Sequence, residues 1–257
     1  MSFGKIKLKN FEIKKSNFKL INDLNLLIKE NNEILNTLKP TYKYSYSKNT
    51  ILRNKNFKKL NIIGIGGSIL GAEAIYNFLK NKIKKKIVFF NNLSSNLKSN
   101  KNNKKDLNLI ISKSGNTLET IVNSNILIKN KSKNIFILEN KKNYLNNLAK
   151  KLKGEIVEHK NYIGGRYSVL SDVGLVPAYF MGINIFKFRK NIYKYILNNQ
   201  ILKGSSIKLA NILIQKKIPN LVFLNYSKNL EKFLFWAQQL IAESLGKKNQ
   251  GFFPIVS

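Results

Sequence analysis

From residue 60 onward the chain alternates short, almost wholly apolar runs with stretches whose apolar positions recur every three or four residues. Runs of strand length lie at Leu60–Ile65, Ile87–Phe90, Leu107–Ile111, Ile135–Leu138 and Ile156–Val157. Helical patterns separate several of them, at Ala72–Leu79, Thr117–Ile128 and Tyr144–Leu152. Short strands with no polar side, alternating with helices, predict a parallel sheet covered on both faces. The expected fold class is α/β, a doubly wound, three-layer domain. Such sheets take their ligands beyond the carboxyl ends of the strands, so the loops there are where chemistry is sought.

The flanking segments follow other rhythms. Phe18 to Leu38 reads as one helix, with Leu20, Leu24, Leu27, Ile28, Ile34 and Leu35 apolar, ended by Pro40. Tyr42-Lys43-Tyr44-Ser45-Tyr46 alternates, as a strand or an extended connection with a packing role would. Val169 to Ile185 is apolar, helical and rich in small residues, interrupted by Pro177 and Gly182, which suits a buried connector. Gly204-Ser205-Ser206 then caps a helix at about Ile207 to Gln215, followed by a strand at Leu221–Leu224 and an amphipathic helix at Leu230–Leu245. The expected organisation is a helical and extended segment (1–50), a first α/β domain (51–165), a helical connector (166–204) and the beginning of a second, incomplete α/β unit (205–257).

Composition removes several kinds of chemistry. The 257 residues include no cysteine, hence no thiolate nucleophile or disulfide framework, and one histidine, His159, too few for a multi-histidine metal site. No metal or other cofactor is expected, and His159 reads as an incidental loop residue. The N-terminus does not resemble a signal peptide and no apolar run approaches bilayer length, so a soluble cytoplasmic protein without a membrane partner is expected. A net charge of +33 invites a nucleic-acid reading. Against it, the lysines are scattered through every segment among Asn and Ile, as A/T-rich codons would scatter them. Arginine, the better reader of phosphates and bases, occurs only at Arg53, Arg166 and Arg189. Lys84 to Lys86 and Lys101 to Lys105 read as solvated loops. The field instead speeds the arrival of a small anion.

Candidate chemistry gathers at a few places. Ser112-Lys113-Ser114-Gly115-Asn116-Thr117 joins a buried strand to a helix start, where unpaired N–H groups and the helix dipole attract anions. Ser112, Ser114 and Thr117 add neutral donors and Lys113 adds charge; the plainer reading is a helix cap. Gly64-Ile65-Gly66-Gly67-Ser68-Ile69-Leu70-Gly71 follows another strand but is not the dinucleotide G-x-G-x-x-G pattern. Gly67 and Ser68 either meet a sugar hydroxyl or phosphate or simply form a tight turn. In Gly164-Gly165-Arg166-Tyr167-Ser168, Arg166 is either a planar cation for a developing oxyanion or an ordinary ion-pair partner. Gln239 and Glu243 lie four apart on one helix face, with Gly246 as a C-cap. Glu243 sits in an otherwise apolar turn. Poor solvent there would raise its pKa towards the ~6–7 of a general base; a solvated glutamate is the alternative.

Taken in order, these segments resemble the glucose-6-phosphate isomerase family, which is built from two sugar-isomerase (SIS) type domains. The resemblance spans about residues 60 to 250 and rests on Gly64–Gly71, Ser112–Thr120, Gly164–Ser168 and the helix from Gln239 to Lys247. It implies interconversion of glucose 6-phosphate and fructose 6-phosphate through a cis-enediol(ate), without a cofactor. It further implies Glu243 as the proton-shuttling base, Arg166 as the enediolate's stabiliser and Gln239 near the substrate. Ser112, Lys113, Ser114, Gly115, Asn116 and Thr117 would hold the phosphate, with Gly67 and Ser68 as neighbouring contacts. Asp172 departs from the family, where a small or apolar residue is more usual. Family members also continue past the position of Ser257, into a part that carries a histidine and a lysine for ring opening, the histidine coming from the other subunit of a homodimer. An active isomerase, an inactive fragment of one and a non-catalytic sugar-phosphate-binding regulator therefore all stand as expectations.

Overall fold

The structure is a computed structural model, and it describes residues 18–30, 32–94, 105–128, 132–190, 192, 204, 206–211, 220–247 and 251–257. Five strands, β1 (Lys59–Ile63), β2 (Lys86–Phe90), β3 (Asp106–Ser112), β4 (Lys133–Leu138) and β5 (Glu155–Glu158), form one parallel sheet in the order β2-β1-β3-β4-β5. The chain runs outward from β1 to β2, then returns to β3 and continues the other way. The loops after β1 and β3 are therefore neighbours that diverge to opposite faces, the place where such sheets bind ligands.

Strand periodicity sorts the apolar residues into two cores. Leu60, Ile62, Leu107, Leu109, Ile135 and Ile137 face α7 (Asp172–Phe180), which contributes Val173, Val176 and Phe180. Ile63, Ile110, Phe136 and Leu138 face α5 (Leu118–Leu127) and α6 (Tyr144–Lys151) through Leu127, Leu145 and Ala149. On the first side α4 (Leu70–Leu79) packs Ile75 on Leu175 and Ala178 of α7. Pro177 lies inside α7, where it has no N–H to give the Val173 carbonyl, and the helix nevertheless continues to Phe180.

Three asparagines interrupt the apolar strands on one face, and register makes them a ladder. Asn61 opposes Asn108, and Asn108 opposes Asn134. Asn61 Nδ2 donates to Asn108 Oδ1 at 2.8 Å, and Asn108 Nδ2 donates to Asn134 Oδ1 at 2.8 Å. Ser132 closes the end, its Oγ donating to Asn134 Oδ1 at 3.0 Å. A one-residue slip would carry every rung to the opposite face and leave buried amides unpaired.

The expected single helix at Phe18–Leu38 is two, α1 (Phe18–Lys29) and α2 (Glu33–Asn36), because Asn32 accepts from the N–H groups of Ile34 and Leu35 and starts a new helix. After it, Tyr42 to Tyr46 is an extended connection rather than a strand, preceding α3 (Lys48–Asn54). Asp172 holds this connection: its Oδ1 accepts from the N–H of Ser45 at 2.8 Å and of Tyr46 at 3.2 Å. Arg189, at the end of α8 (Ile185–Arg189), donates to the carbonyls of Thr37 and Lys39 and to the Tyr44 hydroxyl. Val169–Ile185 is thus not continuous helix: a 3-10 turn at Gly165–Leu170 precedes α7, and α8 starts anew behind the Asn184 cap.

Beyond the sheet, 206–211 is helical, and the remainder of the helix expected up to Gln215, like Ser205 of its cap, lies outside the described residues. A separate parallel pair, β6 (Asn220–Phe223) and β7 (Phe253–Val256), packs one face against α9 (Glu231–Leu245), with Gln238 Nε2 donating to the Pro254 carbonyl at 2.8 Å. Its other face presents Val222, Leu224, Phe253 and Ile255 to solvent. Among the described residues no helix is long and apolar enough to cross a membrane.

Two stability outcomes follow. Asn108→Ala removes the middle rung, and a loss of about 1–3 kcal/mol is expected by urea denaturation. Burial pushes the Asp172 carboxyl pKa up, against the bonds from Ser45 and Tyr46. Its protonated form thus favours the fold: that contribution is full below the unfolded pKa of ~3.9 and is lost as pH rises through the folded value. Asp172→Asn, which keeps Oδ1, should then be at least as stable as wild type at pH 7. Asp172→Ala should lose about 1–3 kcal/mol for each N–H left without an acceptor.

Candidate active site

Ser112 ends β3, buried, and its Oγ lies 3.0 Å from Thr117 Oγ1 and accepts from the Gly115 N–H at 3.1 Å. Gly115 has φ +68°, and a Cβ there would stand 2.1 Å from Asn143 Oδ1. Asn143 is fixed as the cap of α6, accepting from Asn146 N–H, so only glycine fits opposite it. Ser114 Oγ accepts from the Asn116 N–H, and Asn116 Oδ1 accepts from the Tyr144 N–H. Thr117 occupies the N-cap position of α5, yet its hydroxyl turns to Ser112 and makes no capping bond. The first-turn amides of α5 are therefore left without a side-chain cap, the condition under which a helix start receives an anion.

Lys113 does not lean over this loop. Its Nζ donates to the Asn161 carbonyl at 2.7 Å and stands 3.5 Å from Glu139 Oε1, while Lys141 takes Glu139 Oε2 at 2.9 Å. Burial opposes the Glu139 charge, but the bonds and charges of Lys141 and Lys113 outweigh it and hold the carboxyl below its ordinary range. His159, next to this group, lies in the loop after β5 and is buried. It is 2% exposed, its N–H pairs with the Leu138 carbonyl at 2.7 Å, and burial pushes its imidazole pKa down.

The loop after β1 bridges to a second group of residues. A Cβ at Gly64 would lie 2.9 Å from the Ile111 carbonyl, so this loop rests on the end of β3. Gly66, at φ +57°, faces Gln239, and at Gly67 a Cβ would fall 2.4 Å from the Gly165 carbonyl carbon and 2.6 Å from Arg166 N. Ser168 Oγ fastens the same turn, donating to the Gly165 carbonyl at 2.6 Å. Ser68 closes the 3-10 turn Gly66–Ser68 at the entrance to α4.

Arg166 leaves that turn towards α9. Its Nη1 donates to Glu243 Oε2 at 3.2 Å and its Nε to Ser244 Oγ at 2.9 Å. Gln239 Nε2 donates to Glu243 Oε1 at 2.7 Å. Each oxygen of Glu243 thus carries a donor, one neutral and one charged. The Glu243 side chain is 46% exposed against 21% for Arg166, so the carboxylate is not in the poor solvent that its apolar neighbours in sequence predict. The helix that carries it, α9, packs on α4 and β7. Trp236 Nε1 holds the Arg166 carbonyl at 3.1 Å, and the guanidinium lies 4.6 Å above the Tyr167 ring. Burial would raise the Tyr167 phenol pKa, but its bond with Ser244 and the Arg166 charge outweigh that and bring it down.

The candidates therefore fall into two groups, the Ser112–Thr117 loop and the Gln239–Glu243–Arg166 cluster. Among the described contacts no bond joins them directly; Gly64 to Ser68 lies between. Asn143, Tyr167, Trp236 and Ser244 carry the geometry, although sequence reasoning assigned them no part. The adjacency of Ser244 to Glu243 is the one signal that pointed to it.

Comparison with known proteins bears on what this arrangement does. The phosphoglucose isomerase family model matches residues 14–251. The glucose-6-phosphate isomerase of Methanocaldococcus jannaschii is 35% identical over 219 residues, covering 78% of this chain and 54% of that protein. That of Mycoplasmopsis pulmonis is 32% identical over 242 residues, covering 79% and 55%. The chain spans about half the length of the curated relatives it matches. Among solved structures, a hypothetical protein of Thermus thermophilus shares the fold with a TM-score of 0.74 at 23% identity, covering 93% of this chain and 64% of that one. A glucose-6-phosphate isomerase of Chlamydia trachomatis gives 0.62 at 19% identity, covering 93% and 59%.

The backbone contact at Gly67 has a direct test. Gly67→Ala must push the loop away from Gly165 and Arg166, and overpacking of this kind typically costs ~1–3 kcal/mol. A lowered urea midpoint is expected, together with loss of the Trp236 fluorescence environment.

Proposed function

The chain belongs to the phosphoglucose isomerase family, and from that membership together with the site geometry we propose that it interconverts glucose 6-phosphate and fructose 6-phosphate. One observation carries the proposal: a carboxylate, Glu243, stands within bonding distance of a fixed cation, Arg166, beside the loops at the sheet's switch point. Moving a carbon-bound proton requires a base, and the oxyanion that results requires a positive charge held in place.

In this reading the phosphate of the open-chain sugar lies at the uncapped start of α5, with its first-turn amides and the hydroxyls of Ser112, Ser114 and Thr117 as donors, while the Gly115 and Asn116 N–H groups, held by Ser112 and Ser114, shape the loop. Lys113 contributes at longer range unless it leaves Glu139. Gly67 and Ser68 line the path between phosphate and reacting carbons. Glu243 takes the proton from C2 of the aldose. The C–H electron pair becomes the C1–C2 double bond, and the carbonyl pair moves onto O1, forming the enediolate beside Arg166. The O2 proton passes to O1, and Glu243 returns its proton to C1, which leaves the ketose. Gln239 orients the carboxylate throughout. General-base catalysis of this kind contributes ~10²–10⁴-fold, with positioning and charge stabilisation adding to it.

Turnover of fructose 6-phosphate, followed for wild type and Glu243→Gln, tests the proposal, and a drop of at least ~10²-fold is expected in the variant. Equal turnover by both proteins rules out Glu243 as the base. Because the chain spans about half of its relatives, a second reading is a sugar-phosphate-binding protein without turnover. Equal binding by both proteins with turnover in neither selects it. A homodimer accompanies the family resemblance as a further proposal, which sedimentation equilibrium checks.

A further inference from the structure

We propose that Ser244 is a positioning residue that keeps the Arg166 guanidinium aimed while Glu243 changes charge; this rests on the isomerase reading of the site. Two consecutive residues of α9 hold the guanidinium: Glu243 Oε2 takes Nη1 at 3.2 Å and Ser244 Oγ takes Nε at 2.9 Å. These two contacts respond differently to the reaction. When Glu243 accepts the substrate proton it becomes a neutral acid, and its pull on Arg166 falls just as charge appears on the substrate oxygens. The bond to the Ser244 hydroxyl involves no ionisable partner on α9 and persists through that step.

The hydroxyl is itself fixed. It lies 2.7 Å from the Tyr167 hydroxyl, and the Tyr167 ring lies under the guanidinium. Ser244 Oγ accepts from Arg166 Nε and either gives its own proton to Tyr167 or receives that of Tyr167, so both hydroxyls are used in either case. With the Arg166 carbonyl tied to Trp236, the arginine is anchored at its backbone, at its face and at Nε. Its terminal nitrogens are then the part able to exchange Glu243 for a developing oxyanion. A long side chain would otherwise lose its aim with its ion-pair partner, since rotamer freedom is what an isolated arginine regains.

The test compares wild type, Ser244→Ala and Ser244→Thr with two ligands, fructose 6-phosphate and a phosphorylated aldonohydroxamate whose planar anion imitates the enediolate. Ser244→Ala is expected to weaken the hydroxamate about tenfold and fructose 6-phosphate by less than about twofold, the difference being a lost bond to a charged group. Ser244→Thr, which restores the hydroxyl, should recover the hydroxamate affinity. A second readout is the Nε–H cross-peak of Arg166, assignable by its absence in Arg166→Lys because the chain holds only three arginines. Solvent exchange of that proton should accelerate in Ser244→Ala and not in Ser244→Thr. Equal weakening of both ligands, an unchanged hydroxamate affinity or an unmoved cross-peak overturns the proposal. A wild-type chain that binds neither ligand overturns the isomerase reading, and this proposal with it.

Discussion

At Gly67 two backbones touch with no room for a side chain between them, and the candidate site takes its shape from that contact. A Cβ there would lie 2.4 Å from Gly165. On one side of the contact the loop rests on the end of β3, through the approach of Gly64 to the Ile111 carbonyl. On the other side the turn of Gly165 sends Arg166 to Glu243 and Ser244. Backbone-to-backbone contact fixes such a position without the rotamer cost of tying it with long side chains. The proposed isomerisation would need that economy, since displacements of about an ångström can cost on the order of a hundredfold in rate.

Much of the sheet was legible because both its faces are covered. A strand with no polar side reads as an apolar run, and Leu107–Ile111 differs from β3 by one residue at each end. What was not legible depends on residues far apart in sequence. The Asn61–Asn108–Asn134 ladder looks like three flaws in three strands until register places their amides side by side. Asn32 ends one helix and starts another by bonding two N–H groups, an event that apolar periodicity does not record. The meeting of Gln239, Glu243 and Arg166 joins a motif at residue 166 to a helix some 70 residues later, and no local pattern contains it. Glu243 was expected in poor solvent from its neighbours along the chain, but neighbours along a helix do not say which side stays open. Lys113 sits in the serine-rich loop by sequence, yet Glu139 and the Asn161 carbonyl claim its ammonium.

The buried polar residues divide their work by geometry. Arg189 donates from Nη2 to the carbonyls of both Thr37 and Lys39 and from Nη1 to the Tyr44 hydroxyl, three partners that its planar guanidinium reaches from one position. Asp172 does the reverse for two N–H groups at Ser45 and Tyr46. Together they fasten the tyrosine-rich connection onto α7 and α8. In a chain that otherwise uses lysine for nearly all its positive charge, two of the three arginines serve tasks that depend on shape.

The side of the β6–β7 pair that no described residue covers bears on how such molecules meet in crowded solution. Val222, Leu224, Phe253 and Ile255 form an oily strip on a particle carrying a formal charge of +33. At low ionic strength mutual repulsion keeps such particles apart; at ~0.1 M salt the Debye length shrinks to about 10 Å and repulsion no longer guards the strip. Screening thus leaves the apolar attraction between two such strips unopposed.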